Sequence, residues 1–288
     1  MDVTTNQEPN IILESTSTMD RILEAIDNIE INLKKLNLPI KENKTLGLII
    51  KEFRNLSQND EIQVTGREIP ALYKKAKSIL SFEDALISDP DIESIKKFMS
   101  RMFDFNTNDQ SSAKDSLWEF DLFRRLKQTE LKISYDEPDI VIDFEEYKYG
   151  IACKKIYSES SFGRAFKVGC RQLEKNKLKG IIAFNLDDLI PAGHGVDPDN
   201  ARKFINNFHA NIRTKHLVSF NKTSLKKHCD GILFWTEVFA ISPDQSSKDP
   251  TKRTGLRVGT YIFPMNPKQE TQKRISKISE ELNKIKPK

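Results

Sequence analysis

Apolar residues recur every three or four positions through the first third of the chain. Residues 19–36 carry such a stripe, formed by Ile22, Leu23, Ile26, Ile29 and Leu33. Because residues three and four apart share one face of a helix, this spacing predicts an amphipathic helix that buries the stripe. Pro39 cannot continue a helix and is expected to end it.

Further segments of the same kind follow, separated by short polar stretches. They lie at residues 45–56, 69–80 and 92–105, with Ser81 and Asp91 as candidate N-caps. No segment before residue 106 alternates with the period of two that is typical of strands. We therefore predict an all-helical domain over residues 16–108, preceded by a flexible N-terminus at residues 1–15.

A polar, turn-forming run at residues 106–112 predicts a linker, and the pattern changes after it. Helices are predicted at 113–127, 161–177 and 199 to about 228, the last interrupted near Phe220. Strands are predicted at 131–134, 139–144, 149–156, 180–186, 231–241 and 256–263. This order predicts a mixed α/β domain over residues 109–265. Residues 242–254 are expected to form a mobile loop, and residues 266–288 a basic tail that either frays or docks as a helix on a partner or on its own protein.

Composition predicts a globular chain without a membrane span. Hydrophobic residues make up 38% of the 288 residues, and the counts of Phe 17 and Trp 2 supply large apolar groups that disordered chains lack. The 46 basic and 42 acidic residues leave a net charge of only +4, so a nucleic-acid surface has to be a local patch. No apolar run reaches the roughly 18 to 20 residues that span a bilayer, and the N-terminus lacks the features of a signal peptide.

The cysteines and histidines argue for a reducing compartment and against zinc. Cys153, Cys170 and Cys229 are odd in number and far apart, which does not suit a disulfide framework. The four histidines form no short metal-ligand spacing with each other or with the cysteines. We therefore expect a cytoplasmic protein.

The segment 138–156 (PDIVIDFEEYKYGIACKKI) places an acid at the start of one strand and a lysine inside the next. Alternate residues of a strand share a face, so Lys154 and Lys155 point to opposite faces and one of them has to turn inward. Burying an ammonium costs several kcal/mol unless it is paired. Asp139, brought alongside by the hairpin, is the expected partner of Lys154.

A second acid lies on the preceding helix. Glu119 stands between Trp118 and Phe120, with further apolar residues at helical spacing, whereas Asp121 shares its face with two arginines and is interpreted as a solvated surface charge. A carboxylate on a core-facing stripe needs a metal, a cation or a proton beside it. Two acids and a lysine at the end of a short sheet suit Mg²⁺, which binds a few carboxylates and leaves positions open for phosphate oxygens.

This arrangement of a helix, a hairpin and a lysine-bearing strand resembles the PD-(D/E)xK nuclease superfamily over about residues 115–186. Pro138 and Asp139 match the PD, and Lys154 matches the lysine. The resemblance implies a restriction-endonuclease-like αβββαβ core, acids that hold one or two divalent metals, and a lysine that orients the attacking water. It also implies a glutamine on the following helix, a position that Gln172 occupies.

One position departs from the family pattern. Ala152 stands two residues before Lys154, where the family has its second acid. Glu119 or Glu174 are candidates to replace that acid, and a relative that no longer cleaves is the alternative. A literal ExK at residues 146–148 is rejected, because it falls at the hairpin tip, where its side chains are solvated and too far from Asp139.

Basic residues cluster in sequence around this candidate site. They are Lys154, Lys155, Arg164, Lys167 and Arg171, followed by Lys222, Lys226, Lys227, Lys252 and Arg253. Contacts to phosphate are the usual use of such residues, and a solvated helix face is the alternative. We expect Lys155, Arg164, Lys167 and Arg171 to bind nucleic acid.

These observations support a first hypothesis of a Mg²⁺- or Mn²⁺-dependent nuclease, with DNA as the expected substrate, in a restriction, repair or phage-defence system. Glu119, Asp139 and the backbone carbonyl of Cys153 would hold the metal, Lys154 would position the water, and Gln172 would steady the site. The helical domain would supply contacts to a protein partner, dimerisation or target sensing. A second hypothesis is a nuclease-like module that binds nucleic acid or a protein without cleaving. A third is an interaction protein whose helical domain is the functional half.

Overall fold

The chain forms two compact units, Met1–Leu117 and Trp118–Lys288. The computed structural model describes residues 11–12, 16–42, 44–58, 63–64, 69–88, 95, 99, 112–190, 195–221, 227–240, 255–265 and 268–284. Most of the predicted linker, residues 106–111, lies outside this part, and Ser112 begins a helix that continues into the second unit. Among the described residues, no helix is both long enough and apolar enough to cross a membrane.

The described part of the first unit contains the helices α1 (Thr16–Lys35), α2 (Thr45–Ser57) and α3 (Ile69–Ser88). The stripe predicted for α1 is buried, because Ile26 and Ile29 are 0% exposed and Leu33 is 1% exposed. After α1 the chain turns at Asn37, whose φ of 55° is the left-handed conformation that commonly follows a helix. The three helices confirm the predictions made for these segments.

Three expectations for this unit differ from the structure. Strand β1 (Ile11–Ile12) pairs antiparallel with β2 (Gln63–Val64), so the unit is not all-helical and the predicted flexible N-terminus contains a strand. Two-residue strands are too short for a period of two to be recognised in the sequence. Ser81 lies inside α3 rather than at its start. The helix predicted at 92–105, with Asp91 as its cap, lies outside the described residues apart from residues 95 and 99.

In the described part of the second unit, a mixed seven-stranded sheet forms the centre. Its strands are β3 (Lys132–Ser134), β4 (Ile140–Asp143), β5 (Lys148–Lys155), β6 (Lys179–Asn185), β7 (Gly195–Val196), β8 (Cys229–Ala240) and β9 (Gly255–Pro264). They lie in the order β3-β4-β5-β6-β8-β7, and β9 pairs with β8. The β3-β4, β4-β5 and β8-β9 pairs are antiparallel, while β5, β6 and β8 run parallel because helices connect them.

Four helices are described here: α4 (Ser112–Lys127), which enters this unit at Trp118, α5 (Phe162–Lys175), α6 (Pro198–Asn221) and α7 (Gln269–Lys284). One apolar cluster joins α5 and α6 to the sheet face that carries Ala152, Phe184 and Phe234. On the opposite face, Trp118 of α4 packs against Trp235, with ring centroids 5.5 Å apart. The mixed α/β prediction is confirmed, and the elements α4, β3, β4, β5, α5 and β6 follow in the predicted order.

The C-terminal segment is an integral part of the second unit. Helix α7 buries Ile275, Ile278 and Leu282, and Arg274 forms a 2.6 Å ion pair with Asp230 at the start of β8. Of the two expectations for this tail, docking as a helix on its own protein is therefore confirmed. The mobile loop predicted at 242–254 and the predicted continuation of α6 over residues 222–226 lie outside the described residues.

Candidate functional site

The β4-β5 hairpin brings the predicted acid and lysine together. Ile140 pairs with Ile151 in the antiparallel register, so Asp139 and Ala152 are the next positions along the two strands. Leu173 and Pro138 both pack closely on Gly150. A Cβ atom at this position would lie 2.8 Å from Leu173 and 3.0 Å from Pro138. The proline can therefore pack on the strand and set the position of Asp139.

The ammonium of Lys154 lies between two oxygen atoms that were predicted to bind metal. Its Nζ is 3.3 Å from Oδ2 of Asp139 and also donates to the backbone carbonyl of Cys153. The side chains of Lys154 and Asp139 are only 17% and 12% exposed. The structure thus brings together Asp139, Lys154 and the Cys153 carbonyl around one positive charge.

The charge of Asp139 depends on opposing influences. Burial raises the pKa of this carboxyl above its ordinary value, while the Lys154 ammonium and a 2.7 Å hydrogen bond from the Cys153 N–H act in the opposite direction. Burial disfavours any charged form, and both donors favour the carboxylate. A cation close to Asp139 therefore has a direct electrostatic effect on its ionisation.

Glu119 of α4 is hydrogen-bonded to Tyr135, a residue that the sequence analysis did not predict to belong to the site. The hydroxyl of Tyr135, which follows β3, donates a 3.1 Å hydrogen bond to Oε2 of Glu119. Burial and the nearby carboxylates raise the pKa of Tyr135 well above its ordinary value, so the phenol stays protonated and remains a donor. Tyr135 belongs to no recognised motif. Only its position directly after the short strand β3 could have indicated that it lies near the hairpin.

The interpretation of Asp121 as a solvated surface charge is wrong. Its side chain is 1% exposed and lies 3.2 Å from Arg125 and 3.5 Å from Arg124. The helical spacing identified these partners correctly, but Arg125 also binds Glu237 on β8, at 3.2 Å. This contact to a distant strand accompanies the burial of Asp121 and Arg125. Spacing along one helix does not show such a contact.

Gln172 of α5 lies at the start of the hairpin. Its Nε2 donates a 3.2 Å hydrogen bond to the carbonyl of Pro138, the residue before Asp139. Its Oε1 is buried and accepts no hydrogen bond from the described residues. Gln172 thus holds the backbone next to the acid and keeps one acceptor free.

Lys155 points to the other face of β5 and takes part in a polar network. Its Nζ is 3.0 Å from Oδ1 of Asn185 and 3.5 Å from Asp188, and its side chain is 9% exposed. Asn185 donates in turn to Asp187, which accepts a hydrogen bond from the backbone N–H of Glu237. The phosphate contact predicted for Lys155 therefore does not match its position, because its charge is largely buried and paired.

The three other residues predicted to bind nucleic acid lie together on α5. Arg164, Lys167 and Arg171 are all exposed, at spacings of three and four that place them along one side of the helix. Lys227 is exposed as well, whereas Lys222, Lys226, Lys252 and Arg253 lie outside the described residues. The outer side of α5 therefore presents a row of positive charges.

The literal ExK motif lies where the sequence placed it. Glu146, Tyr147 and Lys148 are all exposed at the hairpin turn, as expected. Ala152 is 0% exposed and belongs to the apolar cluster beneath α5, while Glu174, a candidate substitute acid, is exposed on that helix. Of the two candidate substitutes, Glu119 is therefore the one with a partly buried side chain.

The oxygen atoms at the site suit a hard divalent cation. Two carboxylates and a backbone carbonyl are the ligands that Mg²⁺ and Mn²⁺ prefer, and the position between Asp139 and the Cys153 carbonyl already accommodates the positive charge of Lys154. No group of three or more His, Cys, Asp or Glu side chains in the described ranges forms a metal site by itself. The three cysteines are buried and form no disulfide.

Comparison with known proteins adds no identification. No protein-family model, no curated protein and no solved structure matches the chain.

Proposed function

We propose that the second unit is a metal-dependent nuclease of the PD-(D/E)xK kind, with the restriction-endonuclease-like αβββαβ core, that hydrolyses phosphodiester bonds in DNA. The observation that carries the proposal is the contact of Lys154 with Asp139 across the β4-β5 hairpin, beside the Cys153 carbonyl. A lysine with a carboxylate in a hairpin is common, but here both are mostly buried and Gln172 holds the adjacent backbone. A purely structural ion pair does not require these additional polar groups.

Each residue has a role that follows from its position. Asp139, Glu119 and the Cys153 carbonyl would hold Mg²⁺ or Mn²⁺, which supplies Lewis-acid stabilisation of phosphate charge and a more acidic bound water. Lys154, already at the site, would orient the attacking water and stabilise negative charge on the phosphate. The free Oε1 of Gln172 is available to accept a hydrogen bond from that water.

The exposed row on α5 supports a nucleic acid as the substrate. Arg164, Lys167 and Arg171 lie on the same helix as Gln172, so a phosphate backbone bound along α5 would reach the region of Pro138 and Asp139. Such contacts give affinity without sequence specificity. We propose that the helical first unit supplies a partner contact or dimerisation, in a defence or repair setting within the cytoplasm.

The experiment combines metal binding with a cleavage screen on the full chain. Calorimetry with Mn²⁺ measures binding to the wild type and to Asp139→Asn, and plasmid DNA, linear DNA and single-stranded RNA are incubated with Mg²⁺ or Mn²⁺. The proposal predicts binding that Asp139→Asn removes, together with cleavage of DNA. If the wild type neither binds Mn²⁺ nor cleaves any substrate, the proposal is wrong.

The complete burial of Ala152 favours a second candidate, a module that binds nucleic acid without cleaving it. The matched variants Ala152→Glu and Ala152→Gln separate the two, because both add the same volume to the cluster around Leu173 and Ile182 and only the first adds a carboxylate. Cleavage that appears only in Ala152→Glu would establish the second candidate. Cleavage by the wild type supports the first.

A further inference from the structure

A nuclease of the proposed kind needs a second acid near Asp139, and position 152 does not provide it. The methyl group of Ala152 is 0% exposed within the apolar cluster. Asp136 and Glu137, which precede Asp139, have exposed side chains, and Glu174 is exposed on α5. These acids therefore do not share the partly buried position of Asp139.

Glu119 is the candidate that the strand register brings toward the hairpin. Ser134 of β3 pairs with Val141 of β4, so Tyr135 is the next position along β3 and faces the start of β4, one residue from Asp139. The hydroxyl of Tyr135 donates to Glu119, which places this carboxylate on the same side of the hairpin. Cys153 is 2% exposed on the face of β5 opposite to Ala152, because successive residues of a strand alternate between faces. Glu119 thus approaches the hairpin from the α4 side rather than from the α5 side.

A glutamate on a helix has several rotatable bonds, so its carboxylate needs an additional contact to stay at one position. Tyr135 supplies this contact through the 3.1 Å hydrogen bond from its hydroxyl to Oε2 of Glu119. The ring of Tyr135 is itself held against Phe123 of α4, with centroids 5.4 Å apart. Helix α4 therefore provides both the acid and the surface that fixes the tyrosine.

We propose that Tyr135 is the positioning residue that holds Glu119 as the replacement for the acid absent at position 152. The inference rests on the proposed metal-dependent function and adds a residue that its motif does not include. Tyr135 does not touch the metal in this proposal, because its hydroxyl is occupied by Glu119. It acts by limiting the orientations of the carboxylate that would bind.

Groups that hydrogen-bond to a metal ligand usually change metal affinity by about 10- to 100-fold when removed. Tyr135→Phe removes only the hydroxyl and keeps the ring that packs on Phe123. We expect this change to weaken Mn²⁺ binding about 10-fold. Glu119→Gln removes the charge itself and should weaken binding at least as strongly.

The experiment is a double-mutant cycle on the full chain, read by calorimetric Mn²⁺ affinity. If Tyr135 acts through Glu119, the double variant Tyr135→Phe/Glu119→Gln binds Mn²⁺ as Glu119→Gln does, so the two effects are not additive. Tyr149→Phe is the matched control, because Tyr149 is also a buried tyrosine but lies near Asp230 and Arg274, and it should keep the wild-type affinity. Unchanged affinity in Tyr135→Phe, or additive effects, overturns the inference.

A second measurement on the wild type needs no substitution at position 135. Protein labelled with 3-fluorotyrosine reports on its six tyrosines, and Mg²⁺ binding at Glu119 should shift a ¹⁹F resonance from the tyrosine bonded to it. Mg²⁺ binding without any tyrosine shift would show that the inference is wrong while the proposed function stands. Absence of all Mn²⁺ and Mg²⁺ binding would instead contradict the proposed function itself.

Discussion

The Nζ of Lys154 lies 3.3 Å from Oδ2 of Asp139, on opposite strands of one hairpin, and also donates to the Cys153 carbonyl. A divalent cation at this place would use the same two oxygens as the ammonium. The lysine charge therefore opposes metal binding, while the same charge favours an anionic phosphate. Asp139 and Lys154 should thus differ in how they affect binding and cleavage.

We expect Asp139→Asn to lose both Mn²⁺ binding and cleavage, and Lys154→Met to lose cleavage alone. The loss in cleavage rate should be at least about 100-fold for each, since a metal ligand or a charge stabiliser is removed. Calorimetry and initial cleavage rates measure the two effects separately. Glu146→Ala and Lys148→Ala, at the exposed hairpin tip, are the controls and should remain active. A loss of activity in these controls would favour the literal ExK motif.

The exposed row on α5 should determine how strongly salt weakens nucleic-acid binding. The triple variant Arg164→Ala/Lys167→Ala/Arg171→Ala should reduce the slope of log affinity against log salt by about 3, because each phosphate contact contributes roughly 0.9. Titrations of labelled DNA at several salt concentrations, with Ca²⁺ present, measure this slope. The matched control is Lys268→Ala/Lys273→Ala/Lys277→Ala, which removes three exposed lysines near and on α7. Equal slopes for both triple variants would contradict binding along α5.

The buried imidazole of His209 should make the second unit sensitive to acid. His209 is 2% exposed beside Thr236, and burial lowers its pKa to about 4. In the unfolded chain an ordinary histidine has a pKa of about 6.5, so between these values the unfolded state binds a proton that the folded state does not. The contribution to stability is complete above pH 6.5 and is lost as the pH falls toward 4, by up to about 3 kcal/mol.

His209→Gln should therefore lose less stability than the wild type between pH 7 and pH 4.5. Urea unfolding followed by tryptophan fluorescence isolates this unit, because both tryptophans, Trp118 and Trp235, belong to it. His228→Gln, at a half-buried position beside the Leu178 carbonyl, is the control for removing a histidine from the same unit. An identical pH response in His209→Gln and the wild type would contradict the prediction.

The ion pair between Arg274 and Asp230 should contribute strongly to stability. Asp230 is 1% exposed, and Arg274 contacts it at 2.6 Å from α7. Arg274→Met leaves the buried carboxylate without its guanidinium and should cost roughly 3 to 5 kcal/mol. The neighbouring Lys273→Met, at an exposed position, should change the free energy of unfolding by less than about 0.5 kcal/mol. Equal urea midpoints for the two variants would show that the ion pair between Arg274 and Asp230 does not stabilise this unit.

Local patterns predicted the elements from which the candidate site is built. The period of two in β4 and β5 placed Asp139 and Lys154 side by side, since register and alternation follow from hairpin pairing. Helical spacing likewise identified the buried stripe of α1 and the arginine partners of Asp121. These predictions depend on residues that are neighbours in one element or one hairpin, and such relationships are present in the sequence.

The burial of single charges required contacts between distant elements. Asp121 is buried because Arg125 reaches Glu237, more than a hundred residues away in the chain, and Lys155 is buried because β6 places Asn185 beside it. The sequence around a charged residue does not show whether water or a distant carboxylate will surround its side chain. Tyr135 was not predicted for the same reason, because its hydrogen bond goes to Glu119 of another element.

Local patterns in the sequence were sufficient for the α/β class of the second unit, the β4-β5 hairpin and the contact of Asp139 with Lys154. Contacts between remote elements decided which charged residues are buried, as for Asp121 and Lys155, and whether the C-terminal segment packs on the protein. Periodicity specifies only which face of its element a residue occupies. The packing of remote strands and helices specifies what covers that face, and so which charges have a partner and which remain exposed to solvent.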